Sequence, residues 1–383
     1  MKNLAIYNPY LDSWGGGERY VLSIIQYALK QGHHVDLLWH ESASDIISRA
    51  QSRFGLDLTG LSVISDELFR PPAATKSVSR RPSLFSRLRR LKSRLDLSKQ
   101  YDLFFFVSDG SLPLLLSGQN IIHFQVPFKF THTPVQKLSI FLKYLLCHYQ
   151  FIVNSKFTSH LIRQSFSHPT IVIYPPVDTA AFTASSSHPS GFQIINVGRF
   201  GNLLNSKNQH LLIPSFIKLY KQNPALQDKL RLVLVGASPS TNSSYLTKLH
   251  LLAQGYPVDI LVNPDFSEVI AQYHQSFLYW HAAGITVDNT TNPESTEHFG
   301  ITLVEALASS LPVIAPNRGG IPEIIIDNHN GFLIEDLADL VAKTQLLVSN
   351  PARYEKLKSQ TVSSSGQFNL SSFNQQLSQH LSL

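Results

Sequence analysis

Short apolar runs alternate with longer segments of helical periodicity along most of the chain, and this alternation constrains the fold more than any other feature. Leu4–Asn8 reads as a buried strand and Gly15, Gly16 and Gly17 as a turn. Glu18–Lys30 then reads as a helix with Val21, Ile24, Ile25, Ala28 and Leu29 on one face and Gly32 as its stop. Further strands are read at Val35–Trp39, Leu61–Ile64, Leu103–Val107, Asn120–Phe124, Phe151–Val153 and Ile171–Tyr174, with helical patterns between most of them. A strand followed by a helix re-enters its sheet in the same direction, so the pattern predicts an α/β fold with a doubly wound parallel sheet.

The rhythm breaks once, at the Ser/Pro-rich stretch Ser185–Ser190, and restarts at Phe192–Val197. The second series has strands at Leu232–Val235, Val258–Val262, Phe277–Trp280 and Val313–Ala315, and helices near Gln209–Lys221, Ile301–Ser309 and Leu337–Val348. A chain of 383 residues exceeds one ordinary domain of roughly 150. We therefore expect a Rossmann-like domain over 1–184, a linker over 185–191, a second Rossmann-like domain over 192–362 and a tail over 363–383. That tail shows a thin stripe of Phe373, Leu377 and Leu381 among Ser and Gln, and receives little weight.

Composition narrows the setting. A hydrophobic content of 43% with 15% charged residues describes a globular chain, and the single Cys147 leaves no disulfide framework, which suits a reducing compartment such as the cytoplasm. The opening run Leu4–Tyr7 is too short for a signal-peptide core. The longest apolar candidate, Leu138–Val153, is broken by Lys143, His148 and Gln150; it reads as an amphipathic helix and a strand, so no membrane span is expected.

Charge is concentrated. Residues 70–99 hold ten of the 32 Lys and Arg but only one of the 26 acids, Asp96. Within them Leu84, Leu88, Leu91 and Leu95 recur at helical spacing among Arg87, Arg89, Arg90, Lys92 and Arg94, which predicts a basic amphipathic helix over 83–96. Such a helix suits an anionic membrane surface and gives a second expectation for location, peripheral at the inner membrane face. A solvated helix or loop fits the same residues, whereas nucleic-acid binding is disfavoured because no aromatic interleaving accompanies the charge.

Three constellations can carry chemistry. In Glu297-His298-Phe299-Gly300-Ile301-Thr302-Leu303-Val304-Glu305-Ala306, Gly300 is placed to open a helix, so backbone N–H groups near Phe299, Gly300 and Ile301 would face a phosphate or sugar oxygen. Glu297 and Glu305 can accept hydrogen bonds from sugar hydroxyls, although a capping Glu and a surface Glu would look the same. Gly198, Arg199 and Lys207 follow the first strand of the second series, where ligands of such sheets bind, and the two cations could neutralise a diphosphate leaving group. Asn317-Arg318-Gly319-Gly320-Ile321-Pro322-Glu323 allows close backbone approach and reads as a second anion-facing helix start at Pro322.

With these pieces the chain resembles the family-4 (group 1) glycosyltransferases of the GT-B fold, over nearly its whole length. Weaker companions are Gly15-Gly16-Gly17-Glu18, Asn154-Ser155-Lys156-Phe157-Thr158 and Tyr174-Pro175-Pro176-Val177-Asp178. The last departs from the family's Gly-Val-Asp and bears on linker stiffness. The resemblance implies two domains facing a central cleft and a retaining, metal-independent hexosyltransferase. Such an enzyme moves a hexose from a nucleotide diphosphate sugar, GDP- or UDP-linked, to a hydroxyl of a glycan or lipid-linked acceptor. The nucleotide sugar is a co-substrate, and no cofactor is expected.

It further implies that Arg199 and Lys207 act on the diphosphate, Glu297 on the hexose, Glu305 on the ribose, and Gly16, Gly17, Gly198, Phe299, Gly300 and Ile301 in holding the donor. His123, at the end of a predicted strand, is placed like a histidine aimed at the donor sugar, while a buried structural histidine fits equally. His281 follows Trp280 at another strand end and receives no role. No Asp-x-Asp or zinc-spaced Cys/His cluster is present in the sequence. Rival readings are a nucleotide-sugar epimerase or phosphorylase-like enzyme on the same scaffold and a non-catalytic sugar or nucleotide binder. A nicotinamide dehydrogenase is disfavoured because the first loop lacks G-x-G-x-x-G spacing.

Overall fold

A computed structural model describes residues 1–11, 15–65, 68–69, 83–183, 191–201, 206–238, 243–381 and 383. The chain divides into two compact units, Met1–Pro175 with Asn374–Leu383, and Pro176–Phe373. Nearly all of the expected linker 185–191, residues 70–82 of the basic segment 70–99 and residues 239–242 lie outside the described residues.

The first unit runs β1 (Asn3–Tyr7), α1 (Gly16–Lys30), β2 (His34–Leu38), α2 (Ala43–Phe54), β3 (Ser62–Ile64), α3 (Leu84–Ser98), β4 (Leu103–Val107), β5 (Gln119–Phe124), α4 (Pro134–Cys147), β6 (Tyr149–Val153), α5 (Lys156–Phe166) and β7 (Thr170–Val172). Its strands pair in the order β3-β2-β1-β4-β5-β6-β7, all parallel. Every residue of β4 is buried because both faces of this central strand are covered. Right-handed crossovers place α1 and α2 on one face and α3, α4 and α5 on the other. On that second face Phe104, Phe106, Ile122, Phe124 and Phe151 form one core with Ile162 and Phe166 of α5, against which Leu97 of α3 and Ile140 and Tyr144 of α4 pack.

The second unit runs α6 (Thr179–Phe182), β8 (Phe192–Val197), α7 (Gln209–Gln222), β9 (Leu230–Gly236), α8 (Ser244–Ala253), β10 (Val258–Val262), α9 (Phe266–Gln275), β11 (Leu278–Trp280), α10 (Ile301–Ala308), β12 (Val313–Pro316), β13 (Gly331–Ile334), α11 (Leu337–Ser349) and α12 (Pro351–Ser365). The strand order is β10-β9-β8-β11-β12-β13, again parallel. From β8 the chain winds outward through β9 to β10, then returns to the other side of β8 at β11. The gap between the carboxyl ends of β8 and β11 is therefore the topological switch point, where open α/β sheets bind ligands.

Two differences from the sequence reading have clear physical causes. The unit boundary falls between Pro175 and Pro176, ahead of the Ser/Pro stretch, because residues 176–183 are already anchored in the second unit. Val177 N donates to Phe368 O at 2.9 Å, and the Phe182 ring meets Tyr273 edge-on with centroids 5.4 Å apart. The tail is also more than a weak helix. The last helix, α13 (Leu370–Leu381), starts in the second unit and ends in the first, with Leu377 and Leu381 fully buried. The side chains of Gln119 and Gln150 each donate to His380 O at 3.3 Å.

Burial of Leu377 identifies the tail as part of the core. Leu377→Ala is expected to cost about 2–5 kcal/mol, as other buried Leu→Ala changes do. Urea denaturation followed by circular dichroism checks this; a change under 1 kcal/mol, roughly what an exposed position shows, would contradict it.

Candidate functional site

The switch point of the second sheet gathers the chemistry. After β8 the chain enters Gly198-Arg199-Phe200, fixed by hydrogen bonds from Gly198 N to Val235 O and Phe200 N to Ala237 O, both 2.9 Å. The fully buried Gln209, first residue of α7, donates from Nε2 to the carbonyls of Gly198 (3.2 Å) and Arg199 (3.3 Å), while Tyr245 donates to its Oε1 at 2.9 Å. A Cβ at position 198 would stand 2.6 Å from Lys207 Cγ, so glycine here leaves room for the lysine stem. Arg199 is exposed.

Lys207 reaches inward, where its Nζ donates to Glu297 Oε2. Glu297 is only 8% exposed, and a buried carboxylate survives without a large cost only when paired. His281, just past the end of β11 and fully buried, brings Nε2 to 3.1 Å from the same Oε2, although not along a hydrogen-bonding direction. Burial alone would raise the Glu297 carboxyl; the Lys207 ammonium overcomes it and holds the group far below its ordinary value. Burial also lowers His281, against the opposing pull of Glu297, so this histidine is neutral at pH 7.

Helix α10 starts beside this cluster. Its cap, Gly300, has φ 106°, a conformation open to glycine, and a Cβ there would meet Leu303 Cδ1 at 2.7 Å. In the first turn Leu303 N donates to Gly300 O at 3.0 Å, and the N–H groups of Ile301 and Thr302 precede the first i to i−4 bond of the helix, so the Ile301 end is a donor surface. One turn on, Glu305 is buried and its Oε2 accepts from Tyr273 Oη at 3.1 Å. Burial first, and the Glu305 charge second, push the Tyr273 phenol well above its ordinary value. Tyr279 Oη lies 2.9 Å from Thr302 Oγ1 and 3.1 Å from Val197 O, tying α10 to the end of β8.

The Asn317–Glu323 segment corrects one expectation. No α-helix starts at Pro322; a single 3-10 turn, Ile321–Glu323, leads toward β13, and Asn330 ends it by bonding Ile326 N (2.9 Å) and Ile324 O (3.0 Å). The two glycines do allow close approach, but to the protein's own backbone. Gly320 N donates to Glu297 O at 2.8 Å, and Cβ atoms at 319 and 320 would stand 2.1 Å from Glu297 O and 2.3 Å from His298 O. This segment braces the Glu297 loop.

Thus Gly198, Lys207, Glu297, Phe299, Gly300, Ile301 and Glu305 lie in one unit, built around the cluster and α10. His123, Gly16 and Gly17 belong to the other. Gly16 and Gly17 open α1, where Gly15 N donates to Glu18 Oε2 (2.6 Å) and Gln125 donates to Gly17 O (2.9 Å). His123 is fully buried, stacked on Tyr20 with centroids 4.4 Å apart, and its Nδ1 bonds Ile152 O at 3.2 Å. Burial brings its imidazole down to about 3, so it is neutral, and Nε2 has no hydrogen-bond partner among the described residues. Among those residues no group of three or more His, Cys, Asp or Glu could hold a metal ion. Sequence reasoning gives no role to His281, Tyr273, Tyr279 or Gln209; no spacing in the sequence links them to the carboxylates.

Comparison with known proteins agrees with this architecture. Residues 182–363 match the glycosyl transferases group 1, and residues 14–181 match Glycosyltransferase Family 4. The chain belongs to the group 1 glycosyltransferases. It is 29% identical over 196 residues to a GDP-Man:Man(3)GlcNAc(2)-PP-Dol alpha-1,2-mannosyltransferase of Mus musculus, covering 49% of this chain and 38% of that one. It is 27% identical over 194 residues to a D-inositol 3-phosphate glycosyltransferase of Geodermatophilus obscurus, covering 47% and 40%. The overlap thus spans about two fifths of each relative's length. In fold, the chain matches the Anabaena protein HepE in complex with UDP (TM-score 0.69, 18% identity, 100% of both chains). It also matches a sucrose-phosphate synthase of Thermosynechococcus elongatus (0.68, 18%, 100% and 98%). The fold is GT-B.

The buried pair makes a pH-dependent prediction. Lys207→Met strands the Glu297 carboxylate and is expected to cost about 3–5 kcal/mol at pH 7. Adding Glu297→Gln should restore part of that loss. Because the folded-state carboxyl is depressed, its stabilisation is complete above its ordinary value of 4.5 and lost as pH falls below it. The gap between wild type and Lys207→Met should therefore narrow below that pH in urea melts.

Proposed function

We propose that this chain is a retaining, metal-independent hexosyltransferase using a UDP- or GDP-linked sugar, with its donor at the switch point of the second sheet. The observation that carries the reading is the buried Lys207–Glu297–His281 cluster beside the start of α10. A buried ion pair is rarely worth its desolvation for stability alone, and perturbed carboxyls in such places mark functional sites. Both candidate bases are named among the similar proteins, UDP in the HepE complex and GDP-Man in the mannosyltransferase.

The chemistry follows from the residue types. Arg199 presents a fork of donors to the diphosphate, and Lys207 exchanges its contact with Glu297 for a phosphate oxygen. Glu297, released from the ammonium, accepts a hydrogen bond from a hydroxyl of the hexose, and Glu305 accepts one from the ribose. As the glycosidic bond breaks, negative charge grows on the leaving diphosphate, where the two cations and the first-turn N–H groups of α10 stabilise it. An oxygen of that diphosphate takes the proton of the acceptor hydroxyl, which attacks from the face the leaving group departs, so configuration is retained. The acceptor is a glycan or lipid-linked hydroxyl, and the basic helix α3 draws the protein to an anionic surface carrying it.

Arg199→Ala and Lys207→Ala are each expected to lower kcat/KM by about 10²–10³-fold, the scale for losing one preorganised charge-stabilising donor. Nuclear magnetic resonance of the product should show the anomer of the donor, and EDTA should leave the rate unchanged. An inverted anomer would sink the retaining mechanism; full activity in both variants would sink the donor site.

A further inference from the structure

Helix α4 exposes six large apolar side chains, Val135, Leu138, Phe141, Leu142, Leu145 and Leu146, each 50% to 78% exposed. At 3.6 residues per turn they fall within an arc of about 140°, opposite the face on which Ile140, Tyr144 and Cys147 pack into the core. Water-facing apolar residues scattered singly are ordinary, but a continuous stripe on one helix marks an interaction surface. Lys137 sits at one edge of the stripe, and the helix contains no acid.

The neighbouring helices determine what the stripe can meet. By the handedness of their crossovers and their shared core, α3, α4 and α5 cover the same face of the first sheet. Together they carry nine Lys and Arg against one acid, Asp96. On α3 the arginines at 90 and 94 turn back to Leu68 O, and Leu91 and Leu95 are half-buried, so α3 does not present a full apolar face of its own. Its Arg87, Arg89 and Lys92 remain exposed. A second copy of this chain would oppose cations to cations, at a repulsive cost. An anionic lipid surface satisfies both features, accepting the apolar stripe and attracting the cations around it.

We propose that α4 is a membrane-inserting helix, lying in the plane of an anionic bilayer with its Val135–Leu146 stripe among the acyl chains and the exposed cations of α3 on the headgroups. Among the described residues no helix is long and apolar enough to cross a membrane, so the contact is with one leaflet. For its purpose the proposal rests on the lipid-linked acceptor described above; its test uses neither donor nor acceptor, so the two readings fail separately.

The test is co-sedimentation of the full chain with vesicles of phosphatidylcholine alone or with 30 mol% phosphatidylglycerol. The proposal expects binding to the anionic vesicles at least about tenfold tighter than to the neutral ones. Leu138→Gln/Leu142→Gln/Leu145→Gln should lose at least about tenfold of it with an unchanged melting temperature, since all three residues are exposed. Arg87→Gln/Arg89→Gln/Lys92→Gln should lose the preference for anionic lipid. Equal binding to both vesicle types, or full binding by the Leu variant, overturns the proposal. So does a wild-type dimer in analytical ultracentrifugation that the Leu variant dissolves, because the stripe would then be covered by a second copy.

Discussion

The second unit is organised around one buried charge. Lys207 keeps Glu297 ionised in its pocket, and Lys207 reaches it only because Gly198 leaves space for its stem. Gln209 and Tyr245 hold the loop that carries Gly198, and Gly319 and Gly320 let a second loop press against the backbone of Glu297 itself. The left-handed Gly300 then turns the chain directly from this carboxylate into α10. Each of these constraints would be pointless in a protein that only needed a stable core, where an apolar trio would serve better. They converge on a switch point, where open α/β sheets bind ligands.

The two units differ in what they expose. In the second, the polar chemistry is held inside and presented at strand ends. In the first, polar candidates such as His123 are sealed within the core, while one outer face carries an apolar helix among cations. A transferase whose acceptor is borne on lipid would need both, a site for a soluble donor and a surface for an insoluble partner.

Much of this is legible in the sequence, for identifiable reasons. Buried parallel strands are continuous apolar runs, so β4 and β10 were placed to the residue, and Gly300 announced the start of α10 because helix starts and left-handed glycines carry local signals. β13 was missed because Gly331–Ile334 is four residues long and has no periodicity to show. The Pro322 helix was misread because Gly-Gly-x-Pro serves equally for a helix start and for a loop pressed against neighbouring backbone; only the location of residues 296–299 decides. The tail was undervalued since its Leu377 and Leu381 sit among Ser and Gln, and burial there depends on a partner surface far away in sequence. His281 and Tyr273 join the carboxylates only through the fold, which no one-dimensional spacing records.

The most direct measurement is a crystal structure of the chain with UDP or GDP, whichever binds. The account predicts the diphosphate within hydrogen-bonding distance of Lys207 Nζ and the Arg199 guanidinium, at the start of α10, with Lys207 drawn off Glu297. A nucleotide bound elsewhere, with the Lys207–Glu297 pair intact, would contradict the assignment of this cluster to the donor and leave the pair as a structural feature alone.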